Sequence, residues 1–91
     1  MSIQWLFDVI QDRKQRPRET SYTSSLFAEG LPRIAQKVGE EGTEVVVAAL
    51  AQDDARLVEE VADLTYHTLV LLAARGLTPS HVLAELEKRH R

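Results

Sequence analysis

The sequence predicts an all-α fold of four or five helices that form a helical bundle. Apolar residues recur at spacings of three and four along its longer stretches, as on the buried face of a helix. Pro, Gly, Asp and Thr separate these stretches and are typical of helix ends. No stretch indicates a strand, a repeat or a linker. With 91 residues, the chain is expected to form a single domain over residues 1–91 with a thin core.

A first helix is predicted from a cap at Ser2 to about Arg16. Apolar residues at helical spacing line one face of this segment, and Pro17 cannot continue the helix because it lacks a backbone N–H. The stretch 17–25 has the composition of a loop. We expect only a brief helical turn over 25–29 before the next element.

A second helix is predicted from Leu31 to about Gln52. Pro32 is tolerated in its first turn, where the backbone N–H has no helical partner. The valine run at 45–47 would favour a strand if it stood alone. The wider window keeps a period of about 3.6 residues, so we predict helix throughout.

A third helix is predicted from a cap at Asp53 or Asp54 to Arg75, where Gly76 ends it. From Leu69 onward this helix is apolar on almost every face. Such a helix is buried on more than one side, so we expect either a partner chain or a tightly covered centre around it.

A last helix is predicted behind a Thr78 cap, with Pro79 at its first position. Val82, Leu83 and Leu86 repeat at helical spacing. We therefore expect these three side chains to face inward.

Charge and composition exclude several classes of protein. The net charge is −3, and residues 40–63 carry eight acids against one base, a local charge of −7. Long helices that carry acid argue against nucleic-acid binding. The absence of Cys excludes disulfides and thiolate zinc sites and fits a reducing cytoplasm. No apolar run approaches the ~20 residues that a bilayer requires, so we expect a cytoplasmic protein without a membrane partner.

Two short acidic motifs flank the apolar faces of consecutive helices. Glu41 and Glu44 share a flank of the second helix, and Glu60 and Asp63 share a flank of the third. Helices joined by a tight turn pack antiparallel, so the motifs can face each other. Like charges at this spacing repel by roughly 0.2–0.5 kcal/mol per pair. A hard cation, Mg²⁺ or Mn²⁺, would offset this repulsion; the alternative is a pair of solvated helix faces.

Three stretches together resemble a known family. "KVGEEGTEV", "EEVADLTYHTLVLL" and "SYTSSLFAEGLPRI" are similar to the phosphoribosyl-ATP pyrophosphohydrolases, within the all-α NTP pyrophosphohydrolase (MazG-like) superfamily. The E-x-x-E, spacer, E-x-x-D core marks the superfamily. The "SYT" and "DLTYH" segments point to the particular family. Gly42 departs from the family pattern, which often has Ala, but it removes no ligand.

The resemblance implies a Mg²⁺-dependent homodimeric hydrolase. Its reaction would convert phosphoribosyl-ATP to phosphoribosyl-AMP and pyrophosphate, the second step of histidine biosynthesis. Four carboxylates would hold the metal: Glu41, Glu44, Glu60 and Asp63. Glu40 would orient or deprotonate the attacking water, with Glu41 beside it as the other catalytic carboxylate.

The resemblance also implies a substrate loop formed by Ser21, Tyr22 and Thr23. Lys37 lies on the stripe of the carboxylates and would bind a phosphate oxygen or form an ion pair with Glu41. His67 ends the second acidic stripe, and we expect it to be a hydrogen-bonding residue because hard cations prefer oxygen ligands.

Two alternatives remain open. A sibling enzyme that hydrolyses ordinary or damaged (deoxy)nucleoside triphosphates would have the same metal ligands. A non-catalytic helical dimerisation module would explain the apolar third helix without the acids. Some related chains are fused to a Cys-dependent cyclohydrolase, and the absence of Cys leads us to expect the stand-alone form.

Overall fold

Five helices form the secondary structure of residues 1–90, the part of the chain that the computed structural model describes. In chain order they are α1 (Ile3–Gln15), α2 (Tyr22–Glu29), α3 (Leu31–Ala51), α4 (Asp54–Ala74) and α5 (Pro79–Arg89). No strand occurs in this range, so the all-α prediction is confirmed. No single helix in it is both long and apolar enough to cross a membrane; α4 and α5 meet that test only when counted together across the 106° bend between them.

The caps predicted for two helices are present. The Ser2 hydroxyl accepts a hydrogen bond from the backbone N–H of Trp5 at 3.0 Å and begins α1. The Asp53 carboxylate accepts one from the backbone N–H of Arg56 at 3.0 Å and begins α4. Each bond satisfies a backbone donor that the helix itself leaves without a partner.

Helix α2 is longer than the sequence predicts. Residues 22–25 belong to its first turn, so the loop prediction for this part of the chain was wrong. The Ser21 hydroxyl accepts a hydrogen bond from the backbone N–H of Ser24 at 3.1 Å and caps the helix. A run of Ser and Thr favours a loop by composition, but Ser is also among the best N-cap residues. Gly30 alone separates α2 from α3, and its φ of +96° lies in the region that favours glycine.

The core lies where α1, α2 and α3 meet the C-terminal half of α4. Lys14 supports this junction from α1, because its ammonium donates to the carbonyl oxygen of Ala73 at 2.7 Å near the end of α4. Leu69, Val70 and Ala73 of α4 are buried within one chain, whereas Leu71, Leu72 and Ala74 are only partly buried. The apolar part of α4 is thus only partly covered within one chain. The buried core residues are Phe7, Ile10, Leu26, Ile34, Leu69, Val70 and Ala73.

The apolar face of α5 is not buried, although the sequence predicts that it faces inward. Val82, Leu83 and Leu86 are 44%, 57% and 46% exposed, and α5 buries none of its residues. With α1 and α4 it borders an apolar groove of about 430 Å³. The helical spacing identified the apolar face correctly, but the spacing cannot tell which surface covers it.

The cap of α2 can be tested by substitution. Ser21→Ala removes the acceptor for the Ser24 N–H, so we expect the free energy of unfolding in urea to fall by about 1 kcal/mol, and Ser21→Asn to restore most of it. Ser25→Ala, on the exposed surface of the same helix, is the control and should change stability by less than about 0.5 kcal/mol. An equal loss in both Ala variants would contradict the capping role.

Candidate active site

An acidic cluster lies between α3 and α4. Only residues 52 and 53 connect these helices, and they pack against each other more extensively than any other pair. Glu41 of α3 and Glu60 and Asp63 of α4 each offer a carboxylate oxygen, and the three oxygens lie within 4.8 Å of one another. Oxygens that share one hard cation at about 2.0–2.6 Å are separated by at most about twice that distance. The donor set therefore suits a single divalent cation.

Two cations of the chain lie against this cluster. The Lys37 ammonium is 3.3 Å from a carboxylate oxygen of Glu41, and the Arg56 guanidinium donates to Glu60 at 2.8 Å. Glu60 is only 6% exposed, and a buried carboxylate without a partner is strongly destabilising. These ion pairs therefore offset part of the repulsion between the acids from within the chain.

The neighbouring charges also affect both cations. Burial acts to lower the pKa of Lys37, but the hydrogen bond to Glu41 and the surrounding negative groups outweigh it, so its pKa is raised. The pKa of Arg56 is raised by its hydrogen bond to Glu59 and by the charges of Glu59 and Glu60. Both side chains are thus cationic at neutral pH, and Lys37 presents its charge beside the acidic cluster.

Glu44 and Glu40 lie outside the cluster. Glu44 is exposed, and its negative charge contributes to the raised pKa of Arg56 after the larger effects named above. Glu40 is also exposed; it accepts a hydrogen bond from Gln36 at 3.0 Å and lies 3.5 Å from the Lys37 ammonium. The structure brings three of the four predicted metal ligands together, while Glu44 and Glu40 remain at the exposed margin.

The predicted substrate residues form the first turn of α2 and are attached to α4. The Tyr22 hydroxyl lies 3.1 Å from Nε2 of His67, and the hydroxyl groups of Thr23 and Tyr66 are hydrogen-bonded to each other. The rings of Tyr22 and Tyr66 stack with their centroids 6.3 Å apart. Ser21 begins the helix as its cap. This segment therefore has a fixed position beside α4 rather than that of a loop.

His67 is buried and hydrogen-bonded, as expected from the sequence. The residue is 5% exposed. Its Nδ1 lies 2.8 Å from the backbone carbonyl oxygen of Asp63. Burial also raises the pKa of the neighbouring Tyr66 phenol, against the effect of its hydrogen bond with Thr23. His67 does not belong to the acidic cluster, whose members all offer oxygen.

Sequence analysis missed Arg56 and Tyr66. Arg56 precedes Glu60 by four residues, a spacing at which opposite charges on a helix meet. Tyr66 follows Asp63 by three residues and so lies on the same side of α4 as the acids. Helical spacing could have found both residues, although it could not have shown that Tyr66 contacts α2.

Comparisons with known proteins agree with this arrangement. The model of the family described as phosphoribosyl-ATP pyrophosphohydrolase matches residues 4–90. A phosphoribosyl-ATP pyrophosphatase of Listeria welshimeri is 54% identical over 92% of this chain and 81% of its own length. One of Lacticaseibacillus casei is 51% identical over 97% of this chain and 80% of its own length.

A longer relative also matches. The histidine biosynthesis bifunctional protein HisIE of Escherichia coli is 49% identical over 96% of this chain, which corresponds to 45% of the longer protein. The match to the family model covers almost all of the chain, and it includes both acidic motifs and the first turn of α2. The chain therefore belongs to the phosphoribosyl-ATP pyrophosphohydrolase family.

Proposed function

We propose that this chain hydrolyses phosphoribosyl-ATP to phosphoribosyl-AMP and pyrophosphate, the second step of histidine biosynthesis. The observation that carries the proposal is the cluster of Glu41, Glu60 and Asp63, whose carboxylate oxygens lie within 4.8 Å of one another. The relatives support the choice of substrate, because proteins 51% and 54% identical to this chain are named phosphoribosyl-ATP pyrophosphatase.

Glu41, Glu60 and Asp63 would hold a divalent cation, and we propose Mg²⁺, with Mn²⁺ as a substitute. All three donors are carboxylate oxygens, which hard cations prefer. Such a cation, when bound, neutralises charge on the phosphates and lowers the pKa of a coordinated water. We propose Glu44 as a further ligand, because its charge acts on the same guanidinium as that of Glu60.

The remaining side chains of the site have separate proposed roles. Lys37 binds a phosphate oxygen, since its ammonium is charged and adjoins the acidic cluster. Glu40 orients or deprotonates the attacking water from the margin of the cluster, with Glu41 as the adjoining carboxylate. The first turn of α2 contacts the rest of the substrate through three residues: Ser21, Tyr22 and Thr23.

We further propose that two copies of the chain form a homodimer in the cytoplasm. A second apolar surface lies where α3 ends and α4 begins, and its residues are exposed in the single chain: Val46, Val47, Leu50, Val58 and Val61. An apolar surface of this kind on a chain of 91 residues suits burial against a partner. A dimerisation module without activity would need this surface but not the clustered acids.

A pyrophosphate-release assay tests the activity and the acidic cluster together. We expect the wild-type chain with Mg²⁺ to act faster on phosphoribosyl-ATP than on deoxynucleoside triphosphates; the opposite preference would favour the sibling activity. Asp63→Asn removes a carboxylate that would bind the metal, so it should abolish most turnover. It should not destabilise the protein without added metal, because it relieves repulsion worth several tenths of a kcal/mol.

The response to Mg²⁺ completes this test. Wild-type stabilisation should approach about 2.7 kcal/mol at a hundred times Kd, and it should shrink in Asp63→Asn. Glu87→Gln on α5 lies away from the cluster and should alter none of these properties. If Asp63→Asn lost more than about 1 kcal/mol without metal and kept its Mg²⁺ response, the proposed ligand role would be wrong.

Arg56 should compete with metal for Glu60. Arg56→Gln releases a buried carboxylate, so we expect tighter Mn²⁺ binding by calorimetry and a lower free energy of unfolding without metal. Arg89→Gln is the matched control, because Arg89 forms an exposed ion pair with Glu85 at 3.0 Å on α5. Unchanged Mn²⁺ affinity in Arg56→Gln would show that this ion pair persists beside the bound ion.

Sedimentation tests the homodimer. The wild-type chain, 10.2 kDa as a monomer, should sediment as a dimer at micromolar concentration. Val58→Glu places a charge on a side chain that is 68% exposed in the single chain, so the variant should dissociate while keeping its helical circular dichroism. A wild-type monomer at that concentration would refute the dimer.

A further inference from the structure

The hydrogen bonds of His67 define which of its ring nitrogens carries the proton. Nδ1 lies 2.8 Å from the carbonyl oxygen of Asp63. A carbonyl oxygen can only accept, so Nδ1 is the donor, and Nε2 of the neutral ring therefore carries a lone pair. His67 is buried, and its ring meets those of Tyr66 and Tyr22 edge to face, with centroids 4.9 and 5.9 Å away. The neighbouring rings thus hold the imidazole in this orientation.

The Tyr22 hydroxyl consequently donates its only hydrogen to His67. The phenolic oxygen is 3.1 Å from Nε2, and Nε2 has no hydrogen to donate in this tautomer. Tyr22 as a whole is 52% exposed, so a bound molecule can reach its side chain. The phenolic oxygen can offer only lone pairs to a bound molecule.

We propose that His67 is a positioning residue for Tyr22, and that the Tyr22 oxygen accepts a hydrogen bond from the nucleoside part of the substrate. The donor is a ribose hydroxyl or an amino group of the base. The second pKa of a phosphate group is about 6, so above that pH its oxygens are ionised and have no hydrogen to donate. This assignment rests on the proposed function, which supplies a substrate that carries ribose and adenine groups.

The layout of the site agrees with a nucleoside at Tyr22 and phosphates elsewhere in the site. The phosphates belong beside the Lys37 ammonium, which carries positive charge and adjoins the acidic cluster. The hydrogen bond between Thr23 and Tyr66 fixes the first turn of α2 to α4. The nucleoside would therefore lie against α2 while its phosphates reach the acids.

Nitrogen-15 NMR of the histidine side chains tests the tautomer without reference to turnover. We expect His67 to show a protonated Nδ1 and an acceptor Nε2, and Tyr22→Phe to shift the Nε2 resonance of His67 alone. His90 is the control, because its Nδ1 makes the same contact with the carbonyl of Leu86 at 2.8 Å in an exposed position. A protonated Nε2 in His67 would overturn the proposal.

Binding measurements test the substrate contact. At about pH 8, where phosphate is fully ionised, Tyr22→Phe should weaken binding of phosphoribosyl-AMP by calorimetry roughly threefold to tenfold, a factor typical of one hydrogen bond. Pyrophosphate binding with Mg²⁺ should not change. Weaker pyrophosphate binding with unchanged nucleotide binding would place Tyr22 at the phosphates and refute the assignment.

A double-mutant cycle tests whether His67 acts through Tyr22. His67→Phe should weaken phosphoribosyl-AMP binding in the wild-type background and add almost nothing in Tyr22→Phe. Equal losses in both backgrounds would indicate a structural role only and would overturn the positioning role. If His67→Phe does not fold, the NMR measurement still decides. A wild-type chain that binds phosphoribosyl-AMP as described but does not hydrolyse phosphoribosyl-ATP would refute the proposed function and leave this inference standing.

Discussion

The antiparallel packing of α3 against α4 is the constraint on which the site depends. Two residues connect these helices, so the acids near the middle of α3 must lie opposite those of α4. Two of the remaining helices support this pair: α1 and α2 pack against buried residues of α4, and Lys14 of α1 binds near the end of α4. Without that cover, α4 would expose Val70 and Ala73, which are now completely buried.

The same packing forces carboxylates together, and the chain balances them with cations of its own. Lys37 binds Glu41 from the preceding turn of α3, and Arg56 binds Glu60 from the preceding turn of α4. Each cation precedes its acid by four residues and so belongs to the same helix. The charge of the site is therefore partly compensated within each helix, before the two helices meet.

The sequence predicts most of the fold because helix signals are local. Period, caps such as Ser2 and Asp53, and helix-ending residues all act within a few positions. The prediction failed where a local signal had two meanings, as for the serines that cap α2, and where the answer depended on tertiary contacts. Helical spacing placed the two acidic motifs on facing flanks, but it could not show that Glu44 lies at the margin or that Tyr66 reaches α2. The exposed face of α5 was missed for the same reason, since apolar spacing does not identify what covers a surface.

The single-residue connection at Gly30 means that the number of residues between α2 and α3 cannot change without altering the site. Gly30 is the only residue between the two helices, so no loop exists there to absorb an insertion or a deletion. One residue added inside either helix turns everything beyond it by about 100°. Such a change between Tyr22 and Glu41 would rotate the tyrosine away from His67 or the carboxylate away from α4. We therefore expect changes in chain length to be tolerated better before the Ser21 cap, in the connection at 16–20, than within the segment that joins the two parts of the site.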